Sequence, residues 1–501
     1  MDTKRLRLDR SRSPVLYRQL SEQLASAIGR GELQAGERLP SERDLAEVLG
    51  ISRTTAVNAY RELESQGLIR GYVGRGTFVC AASMVANGES HDGNGVSGAP
   101  FAWRGKLAHG AQRTLDPTLR TIVRAASDPS VISFAPGVSA LECFPTDAFR
   151  EISDRILSRG ARVALGLAPS EGQPVLRRAL AHYTGVRPEH ILIMSGSQQG
   201  VDLVARCLID PGDAIILDRP GYLGAIQTFR AAGASLVGWD AERGDLEELE
   251  DLILRYRPKL LYTTTTFQNP TGHTWPLSLR EDVLGLVSRY RLPIIEDDPY
   301  RALWFRTAPP PSLYELDGGR SVIHIETFSK TLAGGLRLAW LTANEAIIDQ
   351  LALVKLRDDI STASLTQLVV AELLSSGTFT AHLASLRAEH ARRHQAMLSA
   401  LDRHVPPGLL RYRPVAGGLY LWCQLQSGQR ASELMLAAAR AGVAFVAGEH
   451  FYPDPAGMHD LRLCFTGVVP ARIEEGVRRL GPLIERRSGS LEQNDSGQPI
   501  V

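Results

Sequence analysis

Residues 321–340 read SVIHIETFSKTLAGGLRLAW. The run from Ser321 is rich in β-branched residues, the pattern of a buried strand, and it ends on a lysine, Lys330. A lysine placed at a strand end inside a pocket can lose its proton and form a Schiff base with an aldehyde. Taken alone it reads equally as a surface lysine, so its neighbours must decide. Arg337 follows seven residues later. Upstream, IIEDDPY (294–300) is an apolar strand ending in carboxylates, Asp297 and Asp298, with Tyr300 close behind. These carboxylates could cap a helix or bind a metal, but no histidine or further acidic cluster of metal-ligand spacing stands nearby.

Further out, TTTTFQNPTGHT (263–274) places Asn269 just past a β run, and Tyr222 lies in DRPGYLGAI (218–226). SGSQQG (195–200) follows the strand Ile191–Met194 and opens a helix. Small residues before a helix start form an anion cradle of backbone N–H groups, here with Ser197 and Gln198. Arg462 sits in the late strand DLRLCFTG (460–467). From about 117 to 485, short β-rich runs alternate with helical patterns, which predicts an α/β domain with a mostly parallel sheet. His390 and His394, with Glu389, read as a solvated helix face on Ala388–Met397.

The first 80 residues differ. Leu16, Leu20, Leu24 and Ile28 give an amphipathic helix. Ser41 with Asp44 opens a second, faced by Leu45, Val48 and Leu49 and stopped by Gly50. Ser52 caps a third, with Ala56, Tyr60 and Leu63 inside. Two β runs, Leu68–Tyr72 and Thr77–Val79, close a hairpin around Gly74-Arg75-Gly76. Helix, short Gly turn, helix is a helix-turn-helix spacing.

Residues 36–79 closely resemble the GntR-type winged helix. The resemblance implies binding to a double-stranded DNA operator through Arg43, Ser52, Arg53, Thr54, Thr55, Gly74 and Arg75. The segments of 117–485 resemble a fold-type I aminotransferase that carries pyridoxal 5′-phosphate (PLP). That implies Lys330 as the catalytic, cofactor-bonding lysine, and Ser197, Gln198, Thr327, Ser329 and Arg337 around the phosphate. It implies Asp297 on the pyridine nitrogen, Tyr300 and Asn269 on the ring oxygen, Tyr222 stacked on the ring, and Arg462 on an α-carboxylate. One position departs: where the family has a tyrosine reaching the partner subunit's phosphate, this chain has Leu167. Both domains in this order resemble the MocR subfamily of GntR regulators.

The fold expected is therefore an α+β winged helix-turn-helix over 1–80, a flexible linker over 81–116, a PLP-dependent transferase of fold type I over 117–485, and a disordered tail over 486–501. The transferase comprises a large domain with a mostly parallel sheet and a smaller C-terminal α+β domain. The implied function is a homodimeric regulator that senses a small amino compound, or PLP itself, at Lys330. A metabolic aminotransferase with an attached DNA-binding head, and a plain repressor whose large domain only dimerises, are the rivals. Net charge is +1, from 56 Lys and Arg against 55 Asp and Glu, so charge alone does not argue for DNA. No apolar run approaches the ~20 residues of a membrane span, and the polar N-terminus lacks a signal-peptide core. The five cysteines are scattered, without a CxxC pair. A metal-free, cytoplasmic protein without membrane contact is expected.

Overall fold

The computed structural model describes Leu8 and residues 16–30, 32–34, 36–65, 68–72, 76–79 and 130–485. The expected linker, the expected tail, residues 117–129 and the hairpin tip Gly74-Arg75 lie outside the described residues. The described residues fall into two compact units, one ending at residue 79 and one beginning at residue 130.

In the first unit, α1 (Leu16–Gly29), α2 (Glu42–Leu49) and α3 (Arg53–Ser65) enclose a core of Leu20, Leu24, Leu45, Ala59, Tyr60 and Leu63. The local signals act as expected. The Ser41 hydroxyl accepts from the Asp44 N–H at 3.2 Å, and Gly50 ends α2 in the left-handed region at φ 61°. Val48 does not face the core; it is exposed, and Ala46 is buried in its place. A short helix of eight residues buries a narrow stripe, and Val48 lies just outside it. A strand not foreseen, β1 (Arg38–Leu39), pairs antiparallel with β3 (Gly76–Val79), which pairs with β2 (Ile69–Tyr72).

The second unit begins with β4 (Ile132–Ser133) and builds a seven-stranded sheet. Its strands are β5 (Ile191–Met194), β6 (Ala214–Asp218), β7 (Ser235–Trp239), β8 (Leu260–Thr263), β9 (Ile294–Asp297), β10 (Val322–Thr327) and β11 (Ala339–Thr342), in spatial order 5-11-10-9-8-6-7. All neighbours are parallel except β11, which runs against β5 and β10. Helices cover both faces, so the central strands are buried on both sides and read as near-continuous apolar runs. Ser195, Asp218, Thr264, Asp297 and Thr327 all stand at or just past the carboxyl ends of parallel strands or of β5. That edge is where open α/β sheets bind ligands.

A smaller sheet of β12 (Leu410–Tyr412), β13 (Tyr420–Leu425), β15 (Val446–Ala447) and β16 (Asp460–Cys464) packs on helices Ala431–Arg440 and Pro470–Glu485; β14 (Val443–Ala444), between them in sequence, pairs with β4 at the start of this unit. The 27-residue helix Thr378–His404 is wedged between these elements and the turn Leu141–Cys143. That corrects the expected solvated histidine face. His390 is fully buried, with Nε2 accepting the Ala140 N–H at 3.4 Å, and burial pushes its pKa down to about 3, so the ring is neutral. His394 is buried too and pushed down to about 4 for the same reason.

Candidate functional site

Lys330 does not close the strand. β10 stops at Thr327, and Lys330 sits in a π-helical turn, Ser329–Ala333, a local widening that recurs at functional sites. The turn aims the lysine into a cavity of about 480 Å³. Its Nζ donates to the Gly137 carbonyl at 2.6 Å, and the Ser139 hydroxyl donates to the Lys330 carbonyl. Burial, helped by the nearby Arg462 and Arg337 charges, lowers the Lys330 pKa to about 8, so its amine is far more available than that of a surface lysine.

Asp297, the last residue of β9, faces the same cavity. Its Oδ2 accepts the Tyr262 hydroxyl at 2.5 Å, while Oδ1 is buried without a hydrogen-bond partner. Burial raises its pKa to about 6, with Tyr262 opposing.

At one end of the cavity, Gly196 (φ 110°) turns the chain into the helix Ser197–Leu208, whose N-terminus carries no side-chain cap. Arg337 crosses this turn and donates to the Ser195 carbonyl at 2.9 Å; a Cβ on Gly196 would collide with its guanidinium. Ser197, Gln198, Ser329 and Arg337 line this end. Gln198 turns its side-chain amide away to the Gly224 carbonyl and Thr228 Oγ1, at 3.2 and 2.6 Å, so its backbone N–H is the group left facing an anion. Thr327 is buried behind Ser329, accepting the Ser329 N–H at 3.1 Å and donating to the Leu338 carbonyl at 3.2 Å. Tyr222 lines the wall and donates to Gln198 Oε1 at 3.1 Å.

At the far end, Arg462 is buried on β16, its guanidinium carbon 4.2 Å from the Tyr420 ring centre and 4.9 Å from that of Phe451. It donates to Asn269 Oδ1 at 2.8 Å and to the Ala135 carbonyl at 2.5 Å, and its Nε has no partner. Tyr300 and Tyr420 join their hydroxyls at 3.2 Å. All the residues that the resemblance assigns to the cofactor and to a carboxylate thus gather at one cavity, Thr327 from behind its wall. Missed were Tyr262, Tyr420, Phe451, Gly137 and Ser139. Only strand pairing reveals Tyr262: it stands beside Ile295 in the β8–β9 register, two residues before Asp297.

In the first unit, the Ser52 hydroxyl caps α3, accepting the Thr55 N–H at 3.1 Å and lying 2.8 Å from Thr55 Oγ1. Ser52, Arg53 and Thr54 are exposed there, and so is Arg43 on α2. The Tyr60 hydroxyl donates to the Pro40 carbonyl at 2.8 Å and ties α3 to the chain entering α2.

The cavity residues fit PLP on two observations. The orphaned Asp297 oxygen is a ready acceptor for a pyridinium N–H. The uncapped helix start, opened by a glycine whose Cβ would push into the guanidinium of the arginine crossing it, is a built phosphate cradle.

Comparison with known proteins agrees. The family described as aminotransferase class I and II matches residues 144–480, and that described as bacterial regulatory proteins, gntR family, matches 16–79. The chain is 40% identical to the 2-aminoadipate transaminase of Thermus thermophilus, over 76% of this chain and 97% of that protein. It is 31% identical to the probable rhizopine catabolism regulatory protein MocR of Rhizobium meliloti, over 98% of this chain and 97% of that one. The crystal structure of LysN, an α-aminoadipate aminotransferase of Thermus thermophilus complexed with N-(5′-phosphopyridoxyl)-L-leucine, superposes with a TM-score of 0.73 at 39% identity, covering 76% of this chain and 98% of that one. The gntR-type head makes the chain a DNA-binding protein, and PLP is the cofactor of its larger domain. The chain belongs to the aminotransferase class I and II family and, with its GntR helix-turn-helix domain in front, has the composition of the MocR-type regulators.

Proposed function

We propose that the protein is a transcriptional regulator, acting on operator DNA in the cytoplasm, whose aminotransferase-like domain senses a small amino compound or PLP at Lys330. The observation that carries this reading is a lysine, a carboxylate and arginines gathered at one cavity in a chain with a DNA-binding head; a mere dimerisation scaffold needs neither Lys330 nor Asp297. When bound, PLP supplies an aldehyde that condenses with amines and a ring that withdraws electrons. Arg337, Ser329, Ser197 and the N–H groups at the start of helix Ser197–Leu208 hold its phosphate. Asp297 would keep the ring nitrogen protonated, Tyr222 would stack on the ring, and Asn269 and Tyr300 would hold its oxygen; all four line the cavity. Lys330 would be the amine that bonds the cofactor's aldehyde, and the Gly137 carbonyl accepts from its Nζ when that amine is free. Arg462 holds the effector's carboxylate by two parallel hydrogen bonds.

In the head, Ser52, Arg53, Thr54 and Thr55 at the start of α3, Arg43 on α2 and Gly74-Arg75 of the wing make the DNA contacts, with Arg53 able to reach a guanine edge. A homodimer presents two heads to two half-sites. Support for it comes from Leu165, Leu167 and Ile360, large apolar side chains exposed on neighbouring segments, since Ala168 N–H donates to Ser361 Oγ at 3.3 Å. Leu167 then packs against the partner rather than reaching its phosphate. Sedimentation of Leu167→Asp should show monomers where the unmodified protein is dimeric.

The test of the whole reading is the visible absorption of the purified protein beside Lys330→Ala, then operator binding with and without amines that change the band. A cofactor band abolished by Lys330→Ala, and an operator affinity that follows the amine, support it. Operator affinity indifferent to every amine that alters the band sinks it. A second reading, a metabolic aminotransferase with a tethering head, is favoured by the 40% identity to a transaminase. Sustained turnover with a 2-oxo acid distinguishes it.

A further inference from the structure

The phosphate cradle stands on one short turn, Ser195-Gly196-Ser197. Gly196 brings no side chain to fix the path of that turn, and the helix it opens carries no side-chain cap. The path is fixed from elsewhere in the chain. The Ser195 N–H donates to Gln199 Oε1 at 2.7 Å, and the Ser195 carbonyl accepts from Arg337 at 2.9 Å. The Ser195 hydroxyl donates to Asp359 Oδ2 at 3.0 Å, across 164 residues of sequence. Gln199, on the other side of Gly196, donates its side-chain amide to the same oxygen at 3.0 Å, and to Asp358 Oδ2 at 3.0 Å. One carboxylate oxygen thus ties down both ends of the segment that presents the helix-start N–H groups. Asp359 itself does not line the cavity.

A bare carboxylate behind an anion cradle would repel the phosphate it helps to seat. This one is neutralised: Lys355, one helical turn earlier and fully buried, gives its Nζ to Asp359 Oδ1 at 2.8 Å. Burial works against the Asp359 charge, but hydrogen bonds from Lys355, Gln199 and Ser195 outweigh it and hold its pKa below the usual carboxylate range. Oδ2 is therefore a charged acceptor, which makes stronger bonds to Ser195 and Gln199 than a neutral one. A buried ion pair adds little stability over apolar residues of the same size, so stability alone does not account for the pair. The backbone carries a second mark of constraint. Ile360, the next residue, holds φ at 62°, a region that strains a β-branched side chain. Such residues persist where their surroundings over-determine them, and they gather at functional sites. Here Asp359 on one side is fixed to Ser195 and Gln199, and Ser361 on the other accepts the Ala168 N–H at 3.3 Å. We propose that Asp359 is a positioning residue of the cofactor site: touching neither cofactor nor effector, it sets the affinity for the phosphate by holding Ser195 and Gln199 on either side of Gly196. This rests on the placement of the PLP phosphate at the Gly196 turn, and not on what the site senses.

The test compares two probes on the full chain freed of cofactor: PLP, and pyridoxal, which carries the same ring and aldehyde without the phosphate. Titration followed by visible absorption gives both dissociation constants. Asp359→Asn keeps the size of the side chain, but its single amide oxygen serves either Lys355 or the Ser195 and Gln199 pair, never both. It should lower the preference for PLP over pyridoxal at least fivefold, with pyridoxal binding as before. A merely structural role would weaken both probes together and leave the preference unchanged. If leaving Lys355 without its counter-charge unfolds that chain, as its melting curve reads, Asp359→Ala combined with Lys355→Met decides, because it removes both charges at once; the same fivefold fall is expected. A smaller fall in preference in the folded variant, whether because neither affinity moves or because both weaken alike, overturns the proposal. An unmodified chain that takes up no PLP would sink the cofactor assignment and this proposal with it, an outcome read before any variant is titrated. No arm of the test involves operator DNA, so its failure is separate from failure of the regulator reading.

Discussion

Two side chains at the heart of the cavity titrate away from their ordinary ranges, and each departure has a measurable consequence. Lys330 titrates near 8 because it is buried beside Arg462 and Arg337. Capture of PLP by the apo protein needs the neutral amine, so its rate should climb with pH and level off above about 8, where an ordinary lysine would still be climbing toward ~10.4. Arg462→Ala removes a positive neighbour, makes the ammonium form easier to keep, and should move that midpoint upward; stopped-flow absorbance across pH 6–10 reads both. Asp297 is displaced the other way, up to about 6 by burial. A carboxyl whose folded pKa lies above its unfolded value adds stability at acid pH that is lost as pH rises through the folded pKa. The apo protein thus carries a buried charge near pH 7, at a cost on the order of 2–3 kcal/mol for a shift of about two units. Asp297→Asn should therefore melt higher than the unmodified apo protein above pH 6, lose that advantage near pH 4, and bind PLP poorly. A melting difference that stays constant from pH 4 to 8 would show that the charge is not the cause.

At the scale of elements, the phosphate cradle is a joint property of a strand end, a glycine and a helix start. Gly196 at φ 110° is in a region that L side chains rarely adopt, and a Cβ there would displace the Arg337 guanidinium. Gly196→Ala should leave the fold intact and lower PLP affinity at least tenfold, as read by cofactor titration; an unchanged dissociation constant would remove Arg337 from the phosphate end. Most of this cradle was legible in the sequence, because Ser195–Gly200 after an apolar strand is a local signal. The caps at Ser41, Gly50 and Ser52 were legible for the same reason. What escaped depends on contacts between distant segments. β1 is two residues long and exists only because β3 lies beside it. Tyr262 reaches Asp297 through the pairing of β8 with β9. His390 and His394 read as solvated because a long helix rich in charged residues suggests a free face, yet the Leu141–Cys143 turn and the small sheet's core close over it. The lysine was found, but its π-helical turn was not, since nothing in Ser329–Ala333 separates that turn from an ordinary strand end.

For the whole molecule, the regulator reading requires that two units with separate cores exchange information, a coupling of only ~1–3 kcal/mol in effector-dependent regulators. That requirement makes the two halves separable by mutation. Arg53 is exposed at the N-terminal turn of the helix that follows the Gly turn, where a guanidinium can meet a phosphate or a guanine edge. Arg53→Ala should weaken operator binding by ~1–3 kcal/mol if the contact is to a base, or flatten the salt dependence by about one charge if it is to a phosphate. In either case the cofactor band should stay as it was, because no residue of the PLP cavity is altered. Lys330→Ala should do the reverse, preserving affinity for the bare operator while abolishing the change in affinity that an amine produces. Measuring operator affinity by fluorescence anisotropy, at several salt concentrations and with and without the amine, separates the four combinations. If Lys330→Ala left the effector-dependent shift in affinity at its original size, Lys330 would not be the group that senses the amine, and its chemistry would have to serve metabolism instead.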